Sequence, residues 1–445
     1  LINPDSQKYK SGFGSFEFGF NRGGVMLVDK KQIIEKDKVV VDGIELKSDW
    51  NRMFEQRVVW DYDLTFMDKI TELEGGESLG WCYQCAQCIP VCPVDIVGSY
   101  GPRKLFRQVQ TGLNLFEDDE LWKCTTCMNC LRVCPKEVNM IKIMPAVREQ
   151  AVLDGNVPQE LQEVFENTFE YGNPLGESPR KRADWVKDAG VDVPILARIK
   201  KPVEILWFVE CYPAYHPRGK DASHALARLL NMLAVDFGIL GVEEKCTCDS
   251  QRLAGEIGLF EEFAEENIRL LRKYKHKQIM VTDPHALNAF RQEYPRLGGK
   301  FDVIHYTTFL APLMSKLNFK KKLDYKVTFH DPCYLGRHNG EFDAPRNMLK
   351  AIPGVDLVEM GRCRENSYCC GGGGGGMWLD GFMSDHVSER LSEKRVREAV
   401  ETGADVLAVC CPYEVSRFED AVKSTGNEGK LVVRDIVELV DEALK

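Results

Sequence analysis

Cys82-Tyr83-Gln84-Cys85-Ala86-Gln87-Cys88-Ile89-Pro90-Val91-Cys92-Pro93 and Cys124-Thr125-Thr126-Cys127-Met128-Asn129-Cys130-Leu131-Arg132-Val133-Cys134-Pro135 are two copies of one pattern, C-x2-C-x2-C-x3-C-P. Three cysteines at intervals of three wrap a tight loop around one face of a cubane, and the fourth, followed by proline, leaves that loop for the neighbouring cluster. The spacing predicts two [4Fe–4S] clusters, one held by Cys82, Cys85, Cys88 and Cys134 and the other by Cys124, Cys127, Cys130 and Cys92. Structural zinc is the competing reading, but its ligands usually come as two separated pairs rather than as intact quartets. A chain built on this pattern carries electrons.

At 445 residues the length suits several domains, and 44% hydrophobic with 28% charged residues is ordinary globular composition. The formal charge of −10, before any cluster thiolates are counted, weighs against binding nucleic acid or anionic lipid. A small carrier with a basic docking patch suits it better. Seventeen cysteines in a long chain without an export signal indicate metal ligation rather than disulfides. The most apolar helical stretch, Leu226 to Val242, is interrupted by Arg228, Asn231 and Asp236, so it is expected to be a core helix and not a membrane span. No signal peptide or twin-arginine segment precedes the globular part, and a cytoplasmic location is expected.

The fold class expected is α+β multidomain, an α-helical two-[4Fe–4S] ferredoxin-type domain followed by tandem α/β cysteine-rich domains. Residues 1–75 hold no cysteine and read as an interaction arm with a Gly/Phe-rich opening and a hairpin turn near Val39 to Gly43. Residues 76–155 form the two-cluster unit, with helices near Pro102–Gln110 and Ile141–Leu153. Residues 156–201 turn polar and read as a linker with one short amphipathic helix (Leu161, Val164, Phe165, Phe169). Beyond them, β-rich runs at Val203–Val209, Gln278–Thr282, Lys326–His330, Val406–Val409 and Leu431–Val433 alternate with helical stretches such as Phe260–Tyr274 and Met383–Val400, an α/β pattern. This region is duplicated, as 202–322 and 323–445. One strand runs into Cys211-Tyr212 and another into Pro332-Cys333-Tyr334; Cys246 and Cys369 follow at almost equal intervals; Asp283-Pro284-His285 answers Cys411-Pro412-Tyr413.

The second half concentrates the chemistry in Cys333, Cys369-Cys370-Gly371 and Cys410-Cys411-Pro412. Adjacent cysteines on a glycine-rich turn do not readily form a relaxed disulfide with each other, but they can point two sulfurs at different irons of one cluster. Glycines 371 to 376 permit positive φ and close backbone approach, so that successive N–H groups reach sulfur. Cys411 precedes a helix predicted over Pro412 to Val422, whose positive end favours a thiolate. His330 and His338 flank Cys333 as candidate proton donors, and Arg337, Arg362 and Arg364 are candidates for a basic rim. Cys363 is assigned no ligand role.

These cysteines resemble the CCG, or cysteine-rich, domain of heterodisulfide reductases and their relatives. The resemblance implies a non-cubane [4Fe–4S] cluster that cleaves disulfides, with Cys333, Cys369, Cys370, Cys410 and Cys411 as its catalytic and ligating set here. The chain departs from the pattern at the last ligand, where Glu414 stands in place of cysteine. The fifth position is then Cys410, which the reading favours, Glu414, or an iron left open for substrate sulfur. In the first half Cys246-Thr247-Cys248 replaces Cys-Cys-Gly and Asp283-Pro284-His285-Ala286 replaces Cys-Pro-x-Cys, so no complete cluster is expected there. Cys211, Cys246 and Cys248 are either buried hydrophobes or auxiliary groups.

The order of parts further resembles the DsrK-type subunits of the membrane complex associated with dissimilatory sulfite reduction. That resemblance implies a DsrM-like haem b membrane partner exchanging electrons with menaquinone, other complex subunits, and a small DsrC-like thiol carrier whose disulfide or trisulfide is reduced. It implies peripheral attachment to the cytoplasmic membrane through partners, with no nucleic acid and no direct span. The iron–sulfur subunits of glycolate, lactate or glycerol-3-phosphate dehydrogenases share the paired regions, and a pure electron relay is the third alternative.

Overall fold

The structure, a computed structural model, describes residues 63, 65–113, 115 and 119–445, together with the backbone of four short strands, β1 (Val25–Met26), β2 (Val39–Val41), β3 (Ile44–Leu46) and β4 (Val59–Trp60). β2 and β3 pair antiparallel, giving the hairpin expected near residues 39–43, and β1 pairs antiparallel with β4. The rest of the expected 1–75 arm lies mostly outside the described residues.

The two-cluster region is helical. Proline opens both α1 (Pro93–Val97) and α2 (Pro102–Gln110), where its missing N–H would have gone unpaired anyway. Asn139 caps α3 (Met140–Leu153) by accepting from the Lys142 N–H. Leu105, Phe106 and Val109 of α2 meet Ile143, Met144 and Val147 of α3 in one buried cluster that also takes in Cys92, Cys124 and Cys127. The 156–201 segment holds α4 (Gln159–Tyr171) as anticipated, but it is no free linker. Trp185 is fully buried with its ring 5.4 Å from that of Trp207, and Arg182 is buried beside it in sequence. Isolated anchors of this kind leave no periodic signal.

The α/β region contains two four-stranded, all-parallel sheets. β5 (Val203–Phe208), β6 (Phe237–Ile239), β7 (His276–Val281) and β8 (Val303–His305) lie in the order β6-β5-β7-β8; β9 (Tyr325–Phe329), β10 (Val355–Leu357), β11 (Val406–Val409) and β12 (Val432–Asp435) lie in the order β10-β9-β11-β12. The identical order shows the duplication in three dimensions. Central strands buried on both faces read as unbroken apolar runs, Leu206-Trp207-Phe208 and Leu407-Ala408-Val409.

Two expectations need correcting. The helix expected over 226–242 is α5 (Pro217–Met232), which stops before Ala234 takes φ of 50°, and the remaining apolar residues form edge strand β6. The helix expected over 383–400 is broken before α6 (Leu391–Glu401), where Arg390 and Glu393 close a capping box. After α7 (Pro412–Ser424), the chain ends on α8 (Ile436–Leu444), which packs on α5 of the other half. Arg228 clamps Asp441 at 2.9 and 2.6 Å, and both sheets share one core. Among the described residues no helix is long and apolar enough to cross a membrane. The protein is α+β and multidomain.

Candidate functional site

Cys82, Cys85, Cys88 and Cys134 line one cavity of the helical region, with Tyr83, Arg103 and Cys130 also in its wall. Cys124, Cys127 and Cys130 line a second together with Cys92. Each fourth cysteine thus sits with the other loop's three. Both loops need the same local strain: Gln84 and Ala86 in one, Thr126 and Met128 in the other, adopt φ of 66°, 68°, 51° and 72°. Left-handed geometry costs a non-glycine residue about 1–2 kcal/mol, and its recurrence at equivalent positions turns each chain so that its thiols face inward. Burial pushes the Cys92 thiol up to about 12, as expected of a sulfur in a dry pocket without a cation.

In a parallel sheet with the first strand between the second and third, successive crossovers leave in opposite directions and open a crevice at the carboxyl ends of the strands. Cys333 follows β9 and Cys411 follows β11, on either side of that crevice. Cys333, Cys370, Cys411 and Glu414 line a cavity that the first half closes with Cys246, Asp249 and His285. Ligating atoms of His330, Cys370 and Glu414 lie within 4.8 Å of one another. Hydrogen bonds with Cys127, Cys333 and Cys370 pull the Cys369 thiol well below its usual range. The same bonds, together with burial, push those three partners up. Gly371 and Gly372 N–H groups donate to the Cys369 and Cys370 sulfurs at 3.3 and 3.5 Å.

The glycine run also does something that its sequence does not announce. A Cβ on Gly373 would lie 2.4 Å from the Thr125 carbonyl oxygen, and one on Gly374 would lie 2.3 Å from that of Cys124. Glycine is required because this loop presses directly on the second ferredoxin-type loop. Fully buried Arg148 fastens the junction by donating to the carbonyls of Gly374, Leu253 and Cys124 at 2.8 Å and of Leu121 at 2.9 Å.

Cys410, the favoured fifth ligand, is not at the cavity. It is fully buried in the hydrophobic core shared by the two sheets, because neighbouring residues leaving a strand point to opposite faces. Glu414 takes the place instead. It is fully buried, its Oε1 lies 3.2 Å from His330 Nε2, and its Oε2 has no hydrogen-bond partner among the described residues. Burial, reinforced by Cys369, pushes its carboxyl well above the usual range. An orphaned carboxylate oxygen beside clustered thiols fits an iron–sulfur centre.

The two histidines singled out from sequence are both engaged by neighbouring groups. Arg395 Nε donates to His330 Nδ1 at 3.0 Å, which places the His330 proton on Nε2, aimed at Glu414; burial, with Arg395, holds the ring well below its usual pKa. His338 donates from Nε2 to the Thr126 carbonyl, and burial brings it to about 3. The three candidate arginines do not form a basic rim. Arg337 is buried on the carbonyls of Cys127 and Ser367, while Arg362 and Arg364 pair with Glu398 and Asp343.

In the first half Glu210, at φ of 75°, lies with Cys211 and Cys246 so that their ligating atoms are within 4.8 Å of one another. The Arg182 guanidinium approaches Cys211 Sγ at 3.4 Å and pairs with Glu244 at 2.7 Å, so a fixed cation already neighbours this thiol. Sequence reasoning passed over Arg148 and the Asp249–His285 pair. The signal for the pair was its position, since both residues stand where the cysteine pattern of the first half lapses.

Residues 205–291 and 327–413 each match the family model described as a cysteine-rich domain, and residues 81–139 match the 4Fe-4S dicluster domain. The chain is 34% identical to one subunit of the dihydromethanophenazine:CoB–CoM heterodisulfide reductase of Methanosarcina barkeri, over 82% of this chain and 94% of that one. It is 36% identical both to the probable iron-sulfur-binding oxidoreductase FadF of Bacillus subtilis and to the EtfAB:quinone oxidoreductase of Syntrophomonas wolfei. Each of these matches covers 74% of this chain and 47% of the relative, so the chain spans about half the length of those two proteins.

Proposed function

The chain belongs to the heterodisulfide reductase family of electron-transferring iron–sulfur oxidoreductases, and from that premise we propose that it reduces a sulfur–sulfur bond in the cysteine-rich cavity. Cys82, Cys85, Cys88 and Cys134 would hold one cubane, and Cys124, Cys127, Cys130 and Cys92 the other. Cys333, Cys369, Cys370 and Cys411 would hold a non-cubane cluster, with Glu414 in the fifth position. When bound, such clusters supply one-electron steps and an iron with affinity for thiolate sulfur.

The observation that carries this reading is the place of Cys369 between the two sites: its thiol interacts with Cys127, which lines the second ferredoxin-type cavity, and with Cys333 and Cys370, which line the cysteine-rich one. Met377, Trp378 and Tyr413 line the cavity on its apolar side and limit water near the reacting sulfur. The substrate class is a protein-bound disulfide or trisulfide on a small DsrC-like carrier. The electron donor is a quinol-linked, DsrM-like haem b protein, in the manner of DsrK-type complexes, with peripheral attachment to the cytoplasmic face of the membrane.

The test is anaerobic cleavage of an organic trisulfide driven by reduced viologen, comparing the wild type with Cys370→Ser. The variant is expected to lose at least about 100-fold in cleavage while its ferredoxin-type centres still bleach on reduction. Equal cleavage by both would overturn the assignment, and a wild type that bleaches without cleaving would make the chain a relay.

A further inference from the structure

Where the first half has lost its cysteines, it presents an ionisable pair to the same cavity. Asp249 and His285 line it together with Cys333, Cys370, Cys411 and Glu414. His285 Nδ1 lies 2.9 Å from Asp249 Oδ2, while Asp249 Oδ1 accepts from Arg252 at 2.8 and 3.1 Å. The His285 backbone N–H is held by Asp283 at 2.8 Å, and its ring stacks on Tyr334 at 3.9 Å, next in sequence to Cys333. Both position and plane of the imidazole are therefore fixed. Nδ1 is engaged, Nε2 has no hydrogen-bond partner among the described residues, and the side chain, which lines the cavity, keeps 15% exposure.

A carboxylate on one ring nitrogen sets the tautomer and supports the imidazolium. Burial works against the charged ring, but the hydrogen bond and charge of Asp249, aided by Asp283 and opposed by Arg252, leave His285 above its ordinary pKa. Across the cavity it faces the thiols of Cys333, Cys370 and Cys411 and the Glu414 carboxyl; the remaining titratable groups against it, Tyr334, Tyr413 and His338, are neutral near pH 7. Burial raises Tyr334 and Tyr413 well above their usual values and lowers His338.

We propose that His285 donates the proton to a sulfur released in this cavity, with Asp249 as its positioning residue. The inference rests on the sulfur-bond reduction proposed above. The substrate R–S–S–R′ takes two electrons from the quinol-linked donor and its S–S bond breaks. One sulfur receives the Nε2 proton of the His285 imidazolium, and water supplies the second proton as the other thiolate leaves. Water then reprotonates His285, so two electrons and two protons yield two thiols. Without the donor, a thiolate must be released as an anion into a partly dry cavity.

The experiment measures kcat for trisulfide cleavage from pH 6 to 9 in the full-length wild type, His285→Gln and Asp249→Asn, with iron content and electron paramagnetic resonance as integrity controls. A second readout is the histidine NMR titration of each protein. In the wild type, His285 should titrate above the free value and kcat should fall on the alkaline side of that point. His285→Gln should lower kcat at pH 7 by about 100-fold with unchanged spectra and no alkaline limb. Asp249→Asn should move both the NMR titration and the alkaline limb to lower pH, which a merely structural role would not do. If His285→Gln does not assemble, Asp249→Asn carries the test. Active wild type with an unchanged profile in either variant overturns the proton donor alone; a wild type inert towards sulfur–sulfur bonds overturns the donor and the function together.

Discussion

Glu414 and Cys410 show what a sequence motif leaves undecided at the scale of one residue. Both were candidates for one position, and nothing in Cys410-Cys411-Pro412-Tyr413-Glu414 says which way each side chain leaves the strand. The fold decides: alternation at the strand end turns Cys411 to the cavity and Cys410 to the core, and the first turn of α7 brings Glu414 to the cavity beside Cys411. Cys410→Ala should therefore keep full iron content and cost only about 1–2 kcal/mol in stability, the price of a small core void. Glu414→Ala should leave global stability comparable but alter the spectrum of the cysteine-rich centre. Iron analysis and thermal unfolding of the two proteins check this; loss of iron on removal of Cys410 would reinstate it as a ligand. The ferredoxin-type cysteines were legible individually because of their spacing, and the two cavities bring each fourth cysteine beside the other loop's three, with Cys130 in the wall of both.

At the scale of elements, long periodic or apolar stretches were readable and short ones were not. The central strands β5, β7 and β11 announce themselves as buried apolar runs and β9 as a β-branched one, whereas β6, β8 and β10 have only three residues each and owe their form to sheet pairing. The glycine run was legible as a site of close backbone approach, but its partner was not, because the Cys124–Thr125 backbone lies more than two hundred residues away in sequence. Gly373→Ala should strain this junction, since its Cβ would sit 2.4 Å from the Thr125 carbonyl. The expected cost is about 1–3 kcal/mol in unfolding free energy, with slower electron delivery to the cysteine-rich cavity. Gly361→Ala is the control, because no atom lies within 4 Å of its added Cβ and no positive φ is involved. Denaturant unfolding and stopped-flow reduction of the two variants compare them; equal behaviour would mean that the tight approach is dispensable.

Over the whole molecule, duplication has produced unequal halves around one crevice. The second half keeps the thiols, while the first supplies Asp249 and His285, and Arg148 ties both to the dicluster region through Leu253, Gly374 and Cys124. Sequence reading recovered the repeat and the order of parts. It missed that the first half helps to build the working cavity, because a lapsed motif looks like loss until the fold brings the replacement residues to the same place. Whether this shared cavity houses a sulfur-reactive iron centre fed by the adjoining ferredoxin-type sites is decided by electron paramagnetic resonance on anaerobic protein, oxidised and reduced, with and without a dithiol. The expected outcome is a paramagnetic signal in the oxidised protein that shifts when the thiol is added and disappears in Cys370→Ser, beside reduced-cubane signals that neither change affects. Cubane signals alone, indifferent to thiol, would refute a sulfur-reactive centre in this cavity.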